Sequence, residues 1–268
     1  MAAAAFDPLD LPAALLVPAD PRACAAEQAG LKAMQVREER AYDGWLLRTS
    51  PGRAKRARSI AALATGSLDL DVKLAECARI YADAGLPLIF RTTPFSEVGL
   101  DRALAARGYV AFEETRVMIR DLRDLPECHD LAHFHAVDAR TFVERAGRLY
   151  GDPPAVIAAD RERAEAFSGT AIRFLQGVDP EQPWGAGSTL LDGTMAGLYG
   201  LFVAEAQRGR GQGRSLVLAL MQAARDAGAT DACLQVSASN TVARALYASL
   251  GFADHYAYWY RAPSLPSA

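Results

Sequence analysis

A glycine- and arginine-rich segment of the chain reads Arg208-Gly209-Arg210-Gly211-Gln212-Gly213. It follows an apolar run typical of a strand, residues 198–203, and it precedes residues 215–227, where apolar side chains recur at helical spacing. A helix N-terminus attracts anions because its first N–H groups are unpaired and its dipole is positive there. Glycine lets the backbone approach a phosphate closely, and Arg214 adds to the positive charge. The segment therefore predicts a pyrophosphate site.

Composition and charge are those of an ordinary soluble globular protein. The 268 residues are 51% apolar and 23% charged, and the net charge of −3 argues against nucleic acid as an obligatory partner. The N-terminus lacks the basic region of a signal peptide, and no apolar run approaches the roughly 18 residues that span a membrane. We expect a cytoplasmic monomer or homodimer without a membrane partner. Its four separated cysteines indicate free thiols: Cys24, Cys77, Cys128 and Cys233.

Two halves of the chain share a pattern at a constant offset of 143 positions, which separates Asp83 from Asp226 and Gly108 from Gly251. Each half runs through a helix that ends at a glycine, an apolar strand (residues 87–92 or 232–237), and a second helix that ends at Gly-aromatic. This order predicts a duplicated fold. We place its lobes at residues 1–126 and 127–268, connected by the polar residues 121–130.

The remaining patterns complete an α/β fold class with a mixed sheet in each lobe. Turns are expected at Pro51-Gly52 and at Asp192-Gly193. The additional predicted strands cover residues 44–48, 58–61 and 114–120 in the first lobe and residues 171–178, 188–191 and 256–261 in the second.

The two lobes differ where the anion site is expected. The counterpart of the glycine-rich segment is residues 65–71, which lack the arginines and the repeated glycines and carry Asp69 and Asp71 instead. A carboxylate about 4–5 Å from a phosphate charge would cost roughly 3 kcal/mol or more at an effective dielectric constant of 20. We therefore expect only the second lobe to bind this ligand.

A second motif lies in the second lobe, where Asn240 begins a helical segment that contains Tyr247 and ends at Gly251-Phe252. Together with the strand and the Arg-x-x-Gly-x-Gly segment, this order resembles the GNAT superfamily of acyl-CoA-dependent N-acetyltransferases. The resemblance implies the acyl-CoA N-acyltransferase fold. The first lobe is similar to the degenerate copies in tandem members, and the resemblance implies that it walls the acceptor site, as a second subunit does in dimeric relatives.

The resemblance also assigns roles to the residues of both motifs. Strand residues would pair with the pantetheine arm, backbone amides after them would hold the pyrophosphate, and Asn240 would contact the arm. Tyr247 would lie near the sulfur, where a phenol can donate a proton to a leaving thiolate. The implied acetyl-CoA residues are Leu201, Phe202, Val203, Arg208, Gly209, Arg210, Gly211, Gln212, Gly213, Arg214, Ser215, Asn240 and Tyr247. The first lobe has Glu97 and Leu104 at the positions of Asn240 and Tyr247.

The general base stays unassigned at this point. Many members of the superfamily carry a glutamate on the strand before the glycine loop, whereas this strand carries Gly197, Tyr199 and Gly200. The candidates that the sequence offers are Glu205, Tyr199, His255 and Asp192.

Several features have a structural interpretation beside a functional one. Asn240 can be a helix N-cap, and Tyr247 can be a core tyrosine. The basic residues 53–58 form either a solvated hairpin face or an anion site. The alternating aromatic residues 256–260 pack either in the core and between the lobes or along an acceptor pocket. No metal is expected, because Cys128, His129, His133 and His135 do not have zinc-site spacing.

The predicted function is transfer of an acetyl group from acetyl-CoA directly to a primary amine. No covalent intermediate is expected, since no base is evident near Cys233. The acceptor stays open between an amino acid, a polyamine, an antibiotic and a peptide N-terminus. The alternatives are a non-enzymatic acyl-CoA sensor and an acyltransferase that uses a longer acyl-CoA or an O-acceptor.

Overall fold

The computed structural model describes residues 5–34, 36, 38–50, 54–128 and 131–265. The described strands are β1 (Glu39–Tyr42), β2 (Trp45–Arg48), β3 (Ile60–Ala62), β4 (Phe90–Thr92), β5 (Val110–Asp121), β6 (Phe134–Ala136), β7 (Ala171–Gln176), β8 (Gly185–Asp192), β9 (Met195–Val203), β10 (Asp231–Ser237) and β11 (Ala253–Ala262). The described α-helices are α1 (Ala13–Leu16), α2 (Pro21–Ala33), α3 (Leu70–Asp83), α4 (Leu100–Ala106), α5 (Ala139–Tyr150), α6 (Pro154–Ala166), α7 (Gln212–Asp226) and α8 (Thr241–Ser249).

All described strands belong to one mixed sheet with the order β1-β2-β3-β4-β11-β5-β10-β9-β8-β7-β6. Each half contributes one parallel pair, β3 with β4 and β9 with β10. The last strands of the two halves are exchanged, because β11 lies beside β4 while β5 lies beside β10. The two exchanged strands pair with each other antiparallel at the centre of the sheet. The predicted boundary after residue 126 thus follows a strand whose two neighbouring strands both belong to the other half.

The predicted repeat of elements is confirmed. Helices α3 and α7 end 143 positions apart, at Asp83 and Asp226, and each is followed by a glycine with positive φ, Gly85 at 67° and Gly228 at 98°. The first residues of strands β5 and β11, Val110 and Ala253, are also 143 positions apart. The duplication therefore extends from these helices to the exchanged strands.

The strand bounds differ from the predicted ones in two informative ways. β4 begins at Phe90 rather than at residue 87, because Pro87 cannot donate to a ladder. β5 and β11 extend beyond their predicted ranges because they pair with each other over most of their length. The predicted turn at Pro51-Gly52 lies outside the described residues, whereas the Asp192-Gly193 turn connects β8 and β9 as predicted.

Helices cover both faces of the second-half sheet. Small residues of α2, Ala23, Ala26 and Ala29, let that helix approach the strand residues Met195 and Cys233 on one face. α7 packs its apolar residues on the opposite face, where the neighbouring strand residues Ala196, Ala232 and Leu234 lie. Alternate residues of a strand point to opposite faces, so the two clusters share strands without sharing side chains.

A buried polar contact connects α2 to the exchanged strands. Arg91 of β4 forms a bidentate ion pair with Glu27 of α2, and the Tyr256 hydroxyl donates to the same carboxylate at 2.7 Å. Tyr256, Tyr258 and Tyr260 face one cluster. This confirms the interpretation that the aromatic residues near the C-terminus pack in the core between the halves. Within the described ranges, no helix is both long and apolar enough to cross a membrane.

Candidate active site

The parallel strands β9 and β10 part from each other halfway along their length. Their pairing runs from Met195 with Asp231 to Leu198 with Leu234 and then stops. Beyond that point β9 stays paired with β8, while β10 stays paired with β5 as far as Ser237. The backbone of residues 199–203 therefore faces a gap, and its amide groups on that side are available to an extended ligand.

A bulge in β9 lies beside this gap. The register between β8 and β9 shifts between the pairs Ser188–Tyr199 and Ala186–Phe202. Gly200 lies inside the bulge with φ of 60°, a backbone conformation that favours glycine. The Tyr150 hydroxyl donates to the Gly200 carbonyl at 2.6 Å and fixes the bulge from α5.

A cavity of about 600 Å³ passes through the gap. Tyr247 and Asn240 of the second motif line it, and so do Leu201 and Phe202 of β9. Its lining also includes Tyr199 from the face of the sheet that α2 covers. Because residues of both faces line one cavity, a ligand on one side can meet a second ligand on the other.

Tyr247 is buried in α8, with its ring edge-to-face against Phe252 at 6.1 Å between centroids. Burial raises the pKa of its phenol above the ordinary value of 10.0, so the hydroxyl keeps its proton at neutral pH. The Asn240 side chain accepts from the Ala243 N–H at 3.1 Å. Asn240 is thus the N-cap of α8 as well as a cavity residue, and its capping interpretation is confirmed.

The glycine-rich segment lies at the end of β9, outside the described cavity lining, and most of it is exposed. Gly209 and Gly211 have φ of 72° and 78°. No described side chain caps α7, and the first bond of its ladder runs from Ser215 N–H to Gly211 O. The preceding amides therefore have no partner within the helix. Arg208 donates to the Val203 carbonyl at 3.0 Å.

At the equivalent helix start in the first half, amides of the first turn are already hydrogen-bonded to a side chain. The Asp69 carboxylate accepts from the N–H groups of Asp71 at 2.9 Å and Val72 at 3.4 Å. At the positions of the second motif, Leu104 is fully buried and Glu97 accepts from the Trp45 indole at 2.6 Å. The amides that α7 leaves available are thus satisfied in α3 by a side chain.

The candidate bases are dispersed. Glu205, Asp192 and His255 are not among the described residues that line the cavity, whereas Tyr199 is. Gly197 makes room for Tyr199, since a Cβ there would lie 2.3 Å from its hydroxyl oxygen. Burial raises the pKa of the Tyr199 phenol well above its ordinary value, which makes it a poor base.

Residues that the sequence patterns did not single out form the remaining wall. Helices α5 and α6 were not predicted, although Asp138 caps α5 through the Thr141 N–H at 2.8 Å and so provided an N-cap signal. The cavity lining includes two carboxylates from this region, Asp152 between the two helices and Asp160 of α6, and Asp160 is ion-paired with Arg163. The first half also reaches the cavity, through Ala33, Met34, Ala54 and Arg56.

The histidines, the cysteine and the basic residues that the sequence analysis considered are placed as follows. His135 contacts the Gly177 carbonyl at 2.9 Å, His133 packs against Trp184, and His129 lies outside the described residues. The part of the chain that the structure describes contains no cluster able to hold a metal ion. Cys233 is buried, and burial raises the pKa of its thiol to about 12. Of the basic residues 53–58, Arg53 lies outside the described residues. Lys55 pairs with Glu113, whereas Arg56 lines the cavity and does not lie on a solvated face.

Comparison with known proteins gives consistent matches. A family model described as "Probable histone acetyltransferase Rv0428c C-terminal" matches residues 21–261. The uncharacterized N-acetyltransferase YobR of Bacillus subtilis (strain 168) is 28% identical over 231 residues, which cover 81% of this chain and 89% of that protein.

Two solved structures resemble the whole chain. A GCN5-related N-acetyltransferase from Kribbella flavida superposes with a TM-score of 0.63 at 14% identity and covers 94% of this chain and 97% of its own. A tandem GNAT protein from the clavulanic acid biosynthesis pathway superposes with a TM-score of 0.52 at 15% identity. The superposition covers 94% of this chain and 99% of that protein. At these identities the likeness shows the fold, and the predicted mixed α/β acyl-CoA N-acyltransferase fold is confirmed.

Proposed function

The chain belongs to the acetyltransferase family described as "Probable histone acetyltransferase Rv0428c C-terminal", and we propose that it transfers an acetyl group from acetyl-CoA directly to a primary amine. It is an acyltransferase of GNAT type. The observation that carries the proposal is the cavity between β9 and β10, which joins Tyr247 on one face of the sheet to Tyr199 on the other.

The second lobe holds the donor. Backbone groups of residues 201–203 face the gap and pair with the pantetheine amides, and Asn240 contacts the same arm. The amides that begin α7 hold the pyrophosphate, with Arg208, Arg210 and Arg214 around it. Gly211 keeps the backbone in the positive-φ conformation that turns these amides outward. Ser215 closes the loop through its N–H bond to the Gly211 carbonyl.

The transfer needs one proton donor and one proton acceptor. The bound thioester supplies an activated acetyl group, whose carbonyl carbon forms a bond to the amine nitrogen while its bond to sulfur breaks. Tyr247 gives its proton to the leaving thiolate, and its raised pKa keeps that proton available at neutral pH. Cys233 takes no part, because a thiol with a pKa of about 12 is not a nucleophile at that pH.

The proton of the attacking amine leaves on the acceptor side. The described carboxylates in the cavity lining are Asp152 and Asp160. Asp160 is ion-paired with Arg163, and either carboxylate can receive the proton directly or through water. Tyr199 is the neutral hydroxyl of this wall and orients the acceptor.

The two lobes have different tasks in this proposal. Residues 127–268 carry the donor site, and residues 1–126 contribute a wall of the acceptor site through Met34 and Arg56. The first lobe has no donor site of its own, because Asp69 occupies the amides that a phosphate would need.

The test is consumption of acetyl-CoA over a panel of amines, with hydrolysis in the absence of amine as the blank. The panel contains amino acids, polyamines, an aminoglycoside and a lysine-rich histone-tail peptide. We expect turnover that requires an amine and yields the N-acetyl product by mass spectrometry. Tight binding of CoA without turnover on any amine would contradict transfer and favour an acyl-CoA sensor.

A further inference from the structure

Arg56 is a cation of the first lobe with an incomplete set of partners. It lies in a short 3-10 helix, Lys55–Ala57, and its guanidinium carbon is 5.6 Å from the centre of the Tyr199 ring. Its Nη1 atom is buried and has no hydrogen-bond partner within the described ranges. A buried N–H donor without a partner destabilises a fold. Because Arg56 also lines the cavity, a bound ligand can satisfy this donor.

The charges around Arg56 are already matched with each other. Arg91 is bound to Glu27, whose two carboxylate oxygens accept three hydrogen bonds in all. Arg48 pairs with Glu39 at 2.7 Å, and the neighbour of Arg56 in sequence, Lys55, pairs with a different carboxylate. Glu27 also attracts Arg56 electrostatically, but the described hydrogen bonds of its carboxylate go to Arg91 and Tyr256, which leaves Arg56 without a hydrogen-bonded carboxylate among the described residues.

The cavity as a whole also has a positive balance. Its described lining contains three guanidinium groups, Arg56, Arg163 and Arg173, and two carboxylates, Asp152 and Asp160. One of these carboxylates is ion-paired with Arg163. This balance favours an acceptor that brings an anionic group over a polyamine, which would bring only positive charge.

Much of the remaining lining is apolar, beside polar residues such as Ser188 and Gln235. The apolar side chains come from α5, α6, β8 and the residue that follows α6, among them Phe142, Val143, Ile157, Leu190 and Phe167. Apolar surface around a few fixed polar groups is the usual design of a small-molecule site. The wall therefore selects for an apolar body between the reacting amine and the group that Arg56 binds.

We propose that Arg56 binds a carboxylate of the acceptor, so that the acceptor is a primary amine carrying a carboxylate on an apolar body. This inference rests on the proposed acetyl transfer and adds the acceptor class to it. It gives the first lobe a specificity-determining residue, placed across the cavity from the donor site. Arg56 takes no part in bond formation, and its effect is on acceptor affinity.

The test compares matched acceptors that differ only at the carboxylate. L-Phenylalanine, L-leucine and L-methionine are each assayed beside their amides and their decarboxylated amines, together with a lysine-rich histone-tail peptide. An α-amino amide is less basic and is neutral in a larger fraction, so chemistry alone favours the amide. We nevertheless expect kcat/KM for the free acid to be about 30-fold higher, from one charge-assisted hydrogen-bonded pair.

The variants isolate the contribution of Arg56. Arg56→Gln should remove the preference for the acid while CoA affinity stays the same, and Arg56→Lys should keep part of it. Lys55→Gln is the matched control, since Lys55 lies in the same short helix and is ion-paired away from the described cavity lining. An unchanged acid-to-amide ratio in Arg56→Gln, or preference of the wild type for amides or for the basic peptide, would overturn the proposal.

A binding measurement separates this inference from the proposed function. Calorimetry with the CoA complex compares N-acetyl-L-phenylalanine with its amide in the wild type and in Arg56→Gln. Tighter binding of the acid, lost in the variant, supports carboxylate recognition even if no amine is turned over. Equal affinities overturn it even if acetyl transfer is observed.

Discussion

The N-termini of α3 and α7 occupy equivalent positions of the duplicated fold and are satisfied differently. In α3, the Asp69 carboxylate accepts from two amides of the first turn. In α7, Gly211 holds a positive φ and no described side chain caps the helix. A helix start can bind an external anion only if its amides are not already paired. The capping carboxylate of Asp69 is thus one of the features that distinguish the two helix starts.

The comparison also explains what the degenerate lobe contributes. It provides β5, which pairs with β10 on the side opposite the gap, and it accommodates β11 beside β4. It also contributes Arg56 to the cavity. The first lobe is therefore needed to complete the sheet around the proposed donor site of the second lobe.

The largest expected effect concerns this exchange of strands. A fragment of residues 127–268 loses both β4 and β5, the described neighbours of β11, and should not fold because the buried Tyr256 and Tyr260 become exposed. Circular dichroism and an amide NMR spectrum would detect the loss. The control is the full chain cut by a protease at a site inserted in residues 122–128, which should stay folded. A well-dispersed spectrum of the isolated fragment would show that the lobes are independent.

The next largest effect is expected at Tyr247, whose counterpart in the first lobe is the apolar Leu104. Tyr247→Phe removes the proton donor but keeps the ring that packs on Phe252. We expect kcat to fall by about 1,000-fold, within the usual range for a general acid, with acetyl-CoA affinity unchanged. Steady-state kinetics and calorimetry measure the two quantities. An unchanged kcat would assign Tyr247 to the core alone.

The pH profile gives an independent test of the same role. The acid form of Tyr247 is the active one, and burial raises its pKa above 10.0. As pH rises, the phenol therefore keeps its proton beyond the ordinary titration range, and the alkaline limb of kcat in the wild type should lie above pH 10. That limb should be absent from the residual activity of Tyr247→Phe. A limb below the ordinary value would contradict the role.

The difference between the lobes was largely predictable from the sequence, because it depends on local residues. Gly209, Gly211 and Asp69 act on the backbone beside them, so their roles follow from residue type and position. The exchange of β5 and β11 was not predictable, since the pattern of a strand does not say which neighbour it pairs with. The acceptor wall was missed for a similar reason, because α5, α6 and Arg56 meet the cavity only through tertiary packing.

A smaller effect is expected at the N-terminus of α7, which no described side chain caps. Gly211→Val places a side chain where the backbone has φ of 78° and where the pyrophosphate amides begin. We expect the Kd for acetyl-CoA to rise by about 100-fold, equivalent to roughly 2.7 kcal/mol. Gly228→Val is the matched control, because it imposes a similar positive-φ strain at the other end of α7, away from the loop. Equal losses of affinity in both variants would attribute the effect to strain.

The smallest effect is expected at the N-terminus of α3, which Asp69 caps. Asp69→Ala removes the cap of α3 and should lower the free energy of unfolding by about 1 kcal/mol, the usual cost of losing an N-cap. Acetyl-CoA should still bind with a stoichiometry of one, because the first lobe also lacks the arginines and glycines of residues 208–213. Urea denaturation and calorimetry measure the two outcomes. A second binding site in Asp69→Ala would mean that the carboxylate alone keeps the first lobe closed to the donor.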